Sequence, residues 1–376
     1  MNTPLRIIQV VNVRWFNATA WYGLFLARLL TDAGHRVLTL VLPGTAPEAK
    51  AKEMGLAYQA LPLNSANPFL LAQTAAKLAA LVRGFKPDIV NCHRGESVFL
   101  WGLLKRSGMQ FSLVRTRGDQ RPPKGNAANR YVHGKLADVL IATNSRTLFQ
   151  CRELLALPDE KLRLVLGGVD TSLFFPDALA GQRVRAALGF ADTDVVVGLL
   201  GRFDHVKGQR ELMQAVRCVL DRAKPGTAAS RLKLMLMGFP TAVSLETVQG
   251  WVREYGLEAR AVITGRVHDV NAHINAMNIG VIASQGSEAI ARAAFEIMAC
   301  NVQLVGTDVG VMPDLLPAEA LAPVGNSAAL AALLERAAND AAFCERLLKS
   351  RQERMPELTQ QSFLEKTLSV YYNCLL

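Results

Sequence analysis

The chain has 376 residues, of which half are hydrophobic and 20% are charged. This composition excludes a disordered chain, and the length favours two domains over one compact core. The net charge of +10 at pH 7 suits an anionic partner: a phosphorylated small molecule or an anionic membrane face, with nucleic acid the weakest class because we find no RNA-binding strand or zinc finger.

The six cysteines are scattered and include no Cys-x-x-Cys pair. We therefore expect neither a disulfide framework nor a zinc site, as in a reducing cytosol. The apolar run 7–13 contains Gln9 and Asn12, so it is too short and polar for a signal peptide. We find no segment with the roughly 20 apolar residues that span a bilayer.

Apolar strands alternate with helical patterns through the first half of the chain. Such alternation predicts a parallel sheet that helices cover on both faces. The predicted helices are 20–33, 46–54 and 68–84. The predicted strands are 7–13, 37–42, 57–61, 89–93, 111–115, 139–143 and 164–166.

A second run of the same kind begins after Pro176 and ends in an amphipathic helix at 361–375. Its predicted strands are 195–200, 233–237, 261–264, 279–283 and 303–306. Ligands of open parallel sheets bind outside the carboxyl ends of the strands. Two such sheets facing each other would form a deep cleft.

Two glutamates, Glu288 and Glu296, stand eight residues apart between two predicted strands. A helix that begins between 289 and 292 would offer unpaired N–H groups and a positive dipole end to a phosphate. Eight helical residues span roughly 12 Å, close to the reach from a sugar past a diphosphate to a ribose. A solvated helix face is the alternative for Glu296.

Three polar segments follow other predicted strands. Arg202 and Lys207 follow strand 195–200 and would neutralise a diphosphate, with an ordinary basic loop as the alternative. His93 ends strand 89–93 beside Arg94 and Glu96, so we favour a site role over a core histidine. The segment 115–124 carries four cations and is either an anionic-acceptor site or a solvated loop.

Together these residues resemble family 4 of the GT-B glycosyltransferases, the group that contains many lipopolysaccharide-core transferases. The resemblance covers nearly the whole chain. Gly201-Arg202 with Lys207-Gly208 is similar to the diphosphate-binding segment of the family, and Glu288 to Glu296 is similar to its Glu-x7-Glu motif. Residues 88–93 resemble the strand with the active-site histidine, and 167–176 resemble the segment that joins the domains.

The resemblance implies an α/β protein of GT-B fold, with two Rossmann-like doubly wound domains facing across a cleft. The first domain would comprise residues 1–172, with the helix 360–376 packing back on it. The second would comprise residues 173–359 and bind the nucleotide-sugar.

The resemblance also implies roles for the site residues. Glu296 would hold the ribose hydroxyls and Glu288 the donor sugar. Arg202 and Lys207 would stabilise the leaving diphosphate, while His93 would touch the sugar at the reacting centre. The remaining donor contacts would come from Gly201, Ala289, Ile290 and Asn17.

Two departures from the family pattern affect these loops. Asn17-Ala18-Thr19 replaces a glycine pair in the first strand–helix loop, and alanines at 289 and 291 replace glycines. Alanine N–H groups still bind phosphate but with fewer backbone angles. Asn17 or Thr19 would then offer a side-chain hydrogen bond.

The predicted function is retaining transfer of a sugar from a nucleotide-sugar donor to a cell-surface glycan, lipopolysaccharide or a related saccharide. A lipid-linked acceptor at the inner membrane face would suit the positive charge and a cytoplasmic protein in peripheral contact with the membrane. No cofactor or metal is expected, since Asp192-Thr-Asp194 lies at the wrong end of its strand. A non-catalytic scaffold, a sugar-nucleotide epimerase and a solute-binding protein are the alternatives.

Overall fold

The computed structural model describes residues 3–65, 67–119, 121–286 and 288–375. The chain divides into two compact units. The N-terminal unit runs to Gly167 and includes the stretch from Gln360 onward, and the C-terminal unit is Gly168–Thr359. The sequence-based boundary after residue 172 lies five residues beyond this division.

Among the described residues before Gly167, the N-terminal unit has seven strands and six α-helices. The strands are β1 Arg6–Val11, β2 Arg36–Val41, β3 Tyr58–Ala60, β4 Ile89–Cys92, β5 Ser112–Arg117, β6 Val139–Ala142 and β7 Leu162–Leu164. The helices are α1 Ala18–Asp32, α2 Ala46–Glu53, α3 Pro68–Phe85, α4 Val98–Arg106, α5 Ala127–Tyr131 and α6 Ser145–Leu155.

These seven strands form one parallel sheet in the order β3-β2-β1-β4-β5-β6-β7. In its centre, Ile7 pairs with Ile89 and Val10 with Cys92. Every residue of β4 is buried, as the uninterrupted apolar pattern predicts for a strand covered on both faces. The last strand of the first half was predicted at 164–166, but β7 ends at Leu164. The buried residues Val165 and Leu166 follow this strand.

In the described part of the C-terminal unit there are six strands and eight α-helices. The strands are β8 Val195–Leu200, β9 Leu232–Met237, β10 Ala261–Gly265, β11 Ile279–Ile282, β12 Gln303–Thr307 and β13 Leu321–Ala322. The helices are α7 Ala178–Ala187, α8 Gln209–Arg222, α9 Leu245–Glu254, α10 Val270–Asn275, α11 Arg292–Ala299, α12 Met312–Leu315, α13 Ser327–Asn339 and α14 Ala341–Arg354.

The second sheet is also parallel, in the order β10-β9-β8-β11-β12-β13. Its strand order is that of the first six strands of the N-terminal sheet, which confirms the prediction of two doubly wound units. The short strand β13 was not predicted. Two residues are too few for a periodic pattern, and β13 forms where Leu321 pairs with Gly306.

Helix signals in the sequence explain many of the boundaries. The side chains of Asn17, Asn67 and Asn144 accept backbone N–H bonds at the starts of α1, α3 and α6. Such caps satisfy donors that the first helical turn leaves unpaired. Among the described residues, no helix is both long and apolar enough to cross a bilayer.

The last helix, α15 Gln360–Asn373, belongs to the N-terminal unit. Its Tyr371 hydroxyl accepts hydrogen bonds from Gln9 Nε2 at 2.9 Å and Asn91 Nδ2 at 2.8 Å. The Phe363 ring meets Tyr22 edge-on, with 4.6 Å between the ring centroids. This helix therefore completes the core of a unit whose other residues end at Gly167, 190 or more positions earlier in the chain.

Each sheet has one point where the strand order reverses. In the N-terminal sheet this point lies between β1 and β4, and in the C-terminal sheet between β8 and β11. Connections leave such neighbouring strands in opposite directions, which opens a crevice at their carboxyl ends. The segments that contain Asn17, His93, Arg202 with Lys207, and Glu288 follow these four strands, whereas segment 115–124 begins within β5.

Candidate active site

The loop after β8 holds both predicted cations of the C-terminal unit. Asp204 shapes this loop, since its Oδ1 accepts the Val206 N–H at 3.2 Å and its Oδ2 accepts Arg202 Nε at 2.9 Å. Burial opposes ionisation of Asp204, but these partners outweigh it and lower the pKa of its carboxyl. Arg202 is therefore oriented by an ionised carboxylate while part of its guanidinium stays exposed.

Lys207 meets Glu288 across the reversal point of the C-terminal sheet. Lys207 Nζ donates to Glu288 Oε1 at 2.5 Å, and the Ser284 hydroxyl donates to the same oxygen at 2.5 Å. Glu288 is only 6% exposed. The structure thus brings together two residues that stand 81 positions apart in the sequence.

Two glycines allow this close approach. A Cβ atom on Gly208 would lie 1.9 Å from the Ala283 carbonyl oxygen, and one on Gly310 would lie 2.0 Å from the Glu288 carbonyl oxygen. Both glycines also have positive φ, +71° and +58°, where other residues are strained. The loops around Glu288 are therefore packed backbone to backbone.

Glu296 lies on the second turn of α11, which begins at the last position of the predicted range. Its side chain is 7% exposed, and its Oε1 accepts Arg292 Nε at 2.6 Å. Burial raises the pKa of Glu296, and the Arg292 charge offsets only part of this effect. Glu296 is therefore a buried carboxylate, and its alternative reading as a solvated residue was wrong.

The first part of the segment between the two glutamates, residues 289–291, is not helical. Ala291 has φ +47° immediately before α11, Ile290 is buried and Ala289 is partly exposed. Ser287, which begins the motif, lies outside the described residues. The left-handed turn at Ala291 shows why glycine suits this position, since a Cβ makes that conformation costly.

Gly201 immediately follows β8 and packs under the Lys207 side chain. A Cβ atom added to Gly201 would lie 3.5 Å from Lys207 Cδ. Its carbonyl oxygen lies so close to Gly238 that a Cβ there would be 2.0 Å away. The structure therefore groups Gly201, Arg202, Lys207 and Glu288 at one edge of one sheet.

His93 follows β4 in the N-terminal unit, where its side chain is fully buried. Its Nε2 lies 2.7 Å from Gln9 Oε1. An amide oxygen only accepts, so this bond places the proton on Nε2 and leaves a lone pair on Nδ1. No described residue bonds to Nδ1. Burial and the nearby Arg115 charge lower the pKa of His93 to about 3, which keeps the ring neutral.

Asn17 also belongs to the N-terminal unit, where its Oδ1 caps α1 by accepting the Ala20 N–H at 3.0 Å. Thr19 Oγ1 donates to the Gly118 carbonyl at 3.3 Å. Both side chains that replace the glycine pair thus have structural partners. The donor contacts predicted for Asn17 and His93 stay predictions.

The cations of segment 115–124 separate into two kinds. Arg115 and Arg117 are buried in β5, whereas Arg121 and Lys124 are exposed. Asp119 lies within 2.5 Å of Arg115, 3.4 Å of Arg117 and 3.6 Å of Arg94. Burial would raise the pKa of Asp119, but the three guanidinium groups outweigh it and lower the pKa.

Sequence reasoning missed Ser284 and gave no role to Asp204 or Gly310, although all three hold the predicted site residues in place. Gly310 carried a signal, since a glycine shortly after a strand marks a left-handed turn. Within the described part of the chain, no group of three or more histidine, cysteine or acidic side chains has a metal-binding arrangement. Asp194 accepts the Ala191 N–H in a turn before β8, away from the carboxyl end of that strand.

Two family descriptions match the chain. Glycosyltransferase Family 4 matches residues 20–173, and Glycosyl transferases group 1 matches residues 194–340. The first match covers His93, and the second covers Arg202, Lys207, Glu288 and Glu296.

The chain is also similar to curated relatives and to solved structures. A D-inositol 3-phosphate glycosyltransferase of Corynebacterium jeikeium is 26% identical over 52% of this chain and 47% of its own length. The lipopolysaccharide core biosynthesis mannosyltransferase LpsB of Rhizobium meliloti is 26% identical over 55% of each chain. The chain spans about half the length of the curated relatives it matches.

The crystal structure of Anabaena HepE in complex with UDP superposes with a TM-score of 0.83, at 17% identity over 98% of this chain and 99% of that one. At this identity the similarity establishes the fold. The chain therefore has the GT-B fold, with a Glycosyltransferase Family 4 domain in its first half and a Glycosyl transferases group 1 domain in its second.

Proposed function

We propose that the protein is a glycosyltransferase that moves a sugar from a nucleotide-sugar donor to a saccharide acceptor. The observation that carries this proposal is the cluster of Arg202, Lys207 and Glu288 at the reversal point of the C-terminal sheet. The cluster lies inside the region that matches the group 1 transferases. It combines two cations with a buried carboxylate that retains free acceptor capacity.

The two cations suit a leaving diphosphate. Negative charge grows on the diphosphate as the bond to the sugar breaks, and fixed cations stabilise that charge where it develops. Lys207 is held by Glu288 and Arg202 by Asp204, so neither cation needs to reorganise during the reaction. This arrangement supplies charge stabilisation from side chains of the protein itself.

Glu288 is suited to hold the donor sugar. Both hydrogen bonds described for its carboxylate, from Lys207 and Ser284, fall on Oε1. Oε2 is thus the oxygen that would accept a sugar hydroxyl. Glu296 would accept the two ribose hydroxyls, since a buried carboxylate with one arginine partner keeps further lone pairs.

A uridine nucleotide is the donor class that the comparisons favour, because HepE was solved with UDP and with UDP-glucose. We propose retention of anomeric configuration on the family 4 resemblance. The anomeric proton coupling of the product, measured by NMR, distinguishes retention from inversion.

The acceptor is proposed to be an anionic cell-surface glycan, such as lipopolysaccharide or a related lipid-linked saccharide. Arg94, Arg115 and Arg117 surround the carboxylate of Asp119 in the N-terminal unit, and Arg94 also pairs with Glu96, so three guanidinium groups face two carboxylates and one positive charge is in excess. Two of the relatives, a D-inositol 3-phosphate glycosyltransferase and a lipopolysaccharide core mannosyltransferase, are compatible with such an acceptor.

A cytoplasmic location with peripheral membrane contact belongs to the same proposal. Phe69, Leu70 and Leu71 are exposed in the first turn of α3. Apolar side chains in one turn, on a protein of net charge +10, suit the surface of an anionic membrane.

The donor site is tested with Glu296→Gln and Lys207→Met. Loss of charged hydrogen bonds to ribose costs about 1.5–3 kcal/mol each, so Glu296→Gln should weaken UDP binding at least tenfold by calorimetry. Lys207→Met should mainly lower the rate of sugar transfer or of slow donor hydrolysis. Glu254→Gln, which removes an exposed carboxylate of the same unit, should change neither.

Thermal unfolding with UDP, GDP and ADP identifies the base, since a ligand at 100 times its Kd adds about 2.7 kcal/mol. Unchanged UDP affinity in Glu296→Gln together with unchanged turnover in Lys207→Met would refute the site assignment. Nucleotide binding without transfer or hydrolysis would instead indicate a non-catalytic scaffold. Interconversion of donor sugars would indicate an epimerase.

A further inference from the structure

A second cavity lies in the C-terminal unit, away from the cluster around Glu288. Its volume is about 450 Å³, within the range of small-molecule sites. It is lined by residues that precede β11 and begin β12, including Asn278 and Gln303. The candidate donor site lies at the opposite, carboxyl ends of the same strands. Four residues of β11 separate the two sites by roughly 13 Å.

One buried cation lines this cavity with no ion-pair partner among the residues that the structure describes. Arg351 lines the cavity and is only 8% exposed. Its Nη1 makes a long bond of 3.4 Å to the Val302 carbonyl oxygen, and its Nη2 has no hydrogen-bond partner among the described residues. Burial lowers the pKa of Arg351. A buried cation without a partner destabilises a protein, and an anion at the same place relieves that cost.

The remaining wall combines apolar side chains with the amide side chains of Asn275, Asn278, Asn301 and Gln303. Cys344, Leu347, Leu348 and Arg351 follow one another at helical spacing, so they share one face of α14. Met277 lies two residues before β11 and Leu304 lies in β12, and both line the cavity. The cavity therefore offers one cation between apolar side chains and amides. Two of these amides already donate within the protein, Asn275 to the Phe175 carbonyl oxygen and Gln303 to Cys344 Sγ.

We propose that this cavity binds a small amphipathic monocarboxylate. The carboxylate would pair with the guanidinium of Arg351, and the hydrocarbon part would contact the side chains of Met277, Leu304 and Leu347. A small rotation of the guanidinium brings Nη2 to the ligand and replaces the long bond to Val302. This site is independent of the donor site and of the proposed transferase reaction.

Thermal unfolding of the full chain tests the proposal, with hexanoate as the probe and hexan-1-ol as its neutral counterpart. Hexanoate at about 100 times its Kd should raise the unfolding midpoint by about 5 °C, and hexan-1-ol should have little effect. Arg351→Met should abolish the hexanoate shift. Arg354→Met, an exposed arginine of the same helix, should retain it.

Alkylation of Cys344 by iodoacetamide locates the ligand and needs no variant. Cys344 lines the cavity and is partly exposed. Hexanoate at ten times its Kd should slow this reaction about tenfold, as mass action requires. An equal thermal shift with hexan-1-ol, a shift retained in Arg351→Met, or an unchanged alkylation rate would each overturn the proposal. UDP should leave the Cys344 rate unchanged, which separates this site from the donor site.

Discussion

The variant Gly208→Ala tests how far the site depends on the close contact between the Gly208 loop and Ala283, as distinct from backbone strain at Gly208. The added Cβ would lie 1.9 Å from the Ala283 carbonyl oxygen, whereas such atoms stay at least 3.0 Å apart. The Lys207–Gly208 loop must therefore move away from the end of β11 by about 1.1 Å. That shift lengthens the 2.5 Å bond between Lys207 and Glu288 beyond hydrogen-bond range.

Gly265→Ala is the matched control. Gly265 has a φ of +70°, against +71° for Gly208. No atom lies within 4 Å of the place that an added Cβ of residue 265 would take. Both variants share the left-handed strain of about 1–2 kcal/mol. Only Gly208→Ala adds the overlap, which costs about 1–3 kcal/mol more. A displacement of about 1 Å also lowers turnover by about 100-fold.

Urea unfolding of the two variants and of the parent chain measures the difference in free energy. UDP calorimetry and donor hydrolysis measure the effect on the site. We expect Gly208→Ala to unfold at clearly lower urea and to lose turnover, and Gly265→Ala to show only the smaller loss of stability. Equal free-energy losses in the two variants would refute the contact as the cause.

Two further predictions concern the N-terminal unit. Tyr371→Phe leaves the buried amides of Gln9 and Asn91 without their acceptor, so it should lower the free energy of unfolding in urea by about 2–5 kcal/mol. The control Tyr372→Phe removes an exposed hydroxyl bond and should lower it by less than about 1 kcal/mol. Similar losses in the two variants would contradict the role of the two amides. His93 has a folded pKa of about 3 against an ordinary 6.5, so its contribution to stability is complete above pH 6.5 and is lost as the pH falls. In the parent chain the free energy of unfolding should therefore fall between pH 6.5 and 4.5, and His93→Gln should reduce the slope of that fall by up to about 1.4 kcal/mol per pH unit. An unchanged slope would show that the pKa of His93 is not lowered in the folded protein.

The sequence contained most of the strand and helix pattern. Buried strands such as β8 are continuous apolar runs, and α11 is amphipathic, so both were recognisable from composition and period. The position of Arg202 and Lys207 immediately after β8 was also predictable. The prediction of β7 was displaced and β13 was not predicted, because strands of two or three residues depend on pairing with a neighbour.

The contacts within the site were less accessible to sequence reasoning. Lys207 meets Glu288 because β8 and β11 are neighbours, and this depends on strand order rather than on any local pattern. The burial of Arg115 is a second example. Four cations in ten residues read as one basic loop, but β5 continues through Arg117 and takes two of them inside. Local charge density does not reveal where a strand ends.

The return of α15 to the N-terminal unit has a consequence for how the chain folds during synthesis. The hydroxyl of Tyr371 and the ring of Phe363 reach the ribosome exit only after the whole C-terminal unit has been made. Until then, Gln9 and Asn91 lack their common acceptor, and the Tyr22 side chain lacks part of its cover. The unit that is translated first is therefore finished last, and a nascent chain stalled before residue 360 should present an incomplete domain to chaperones and proteases.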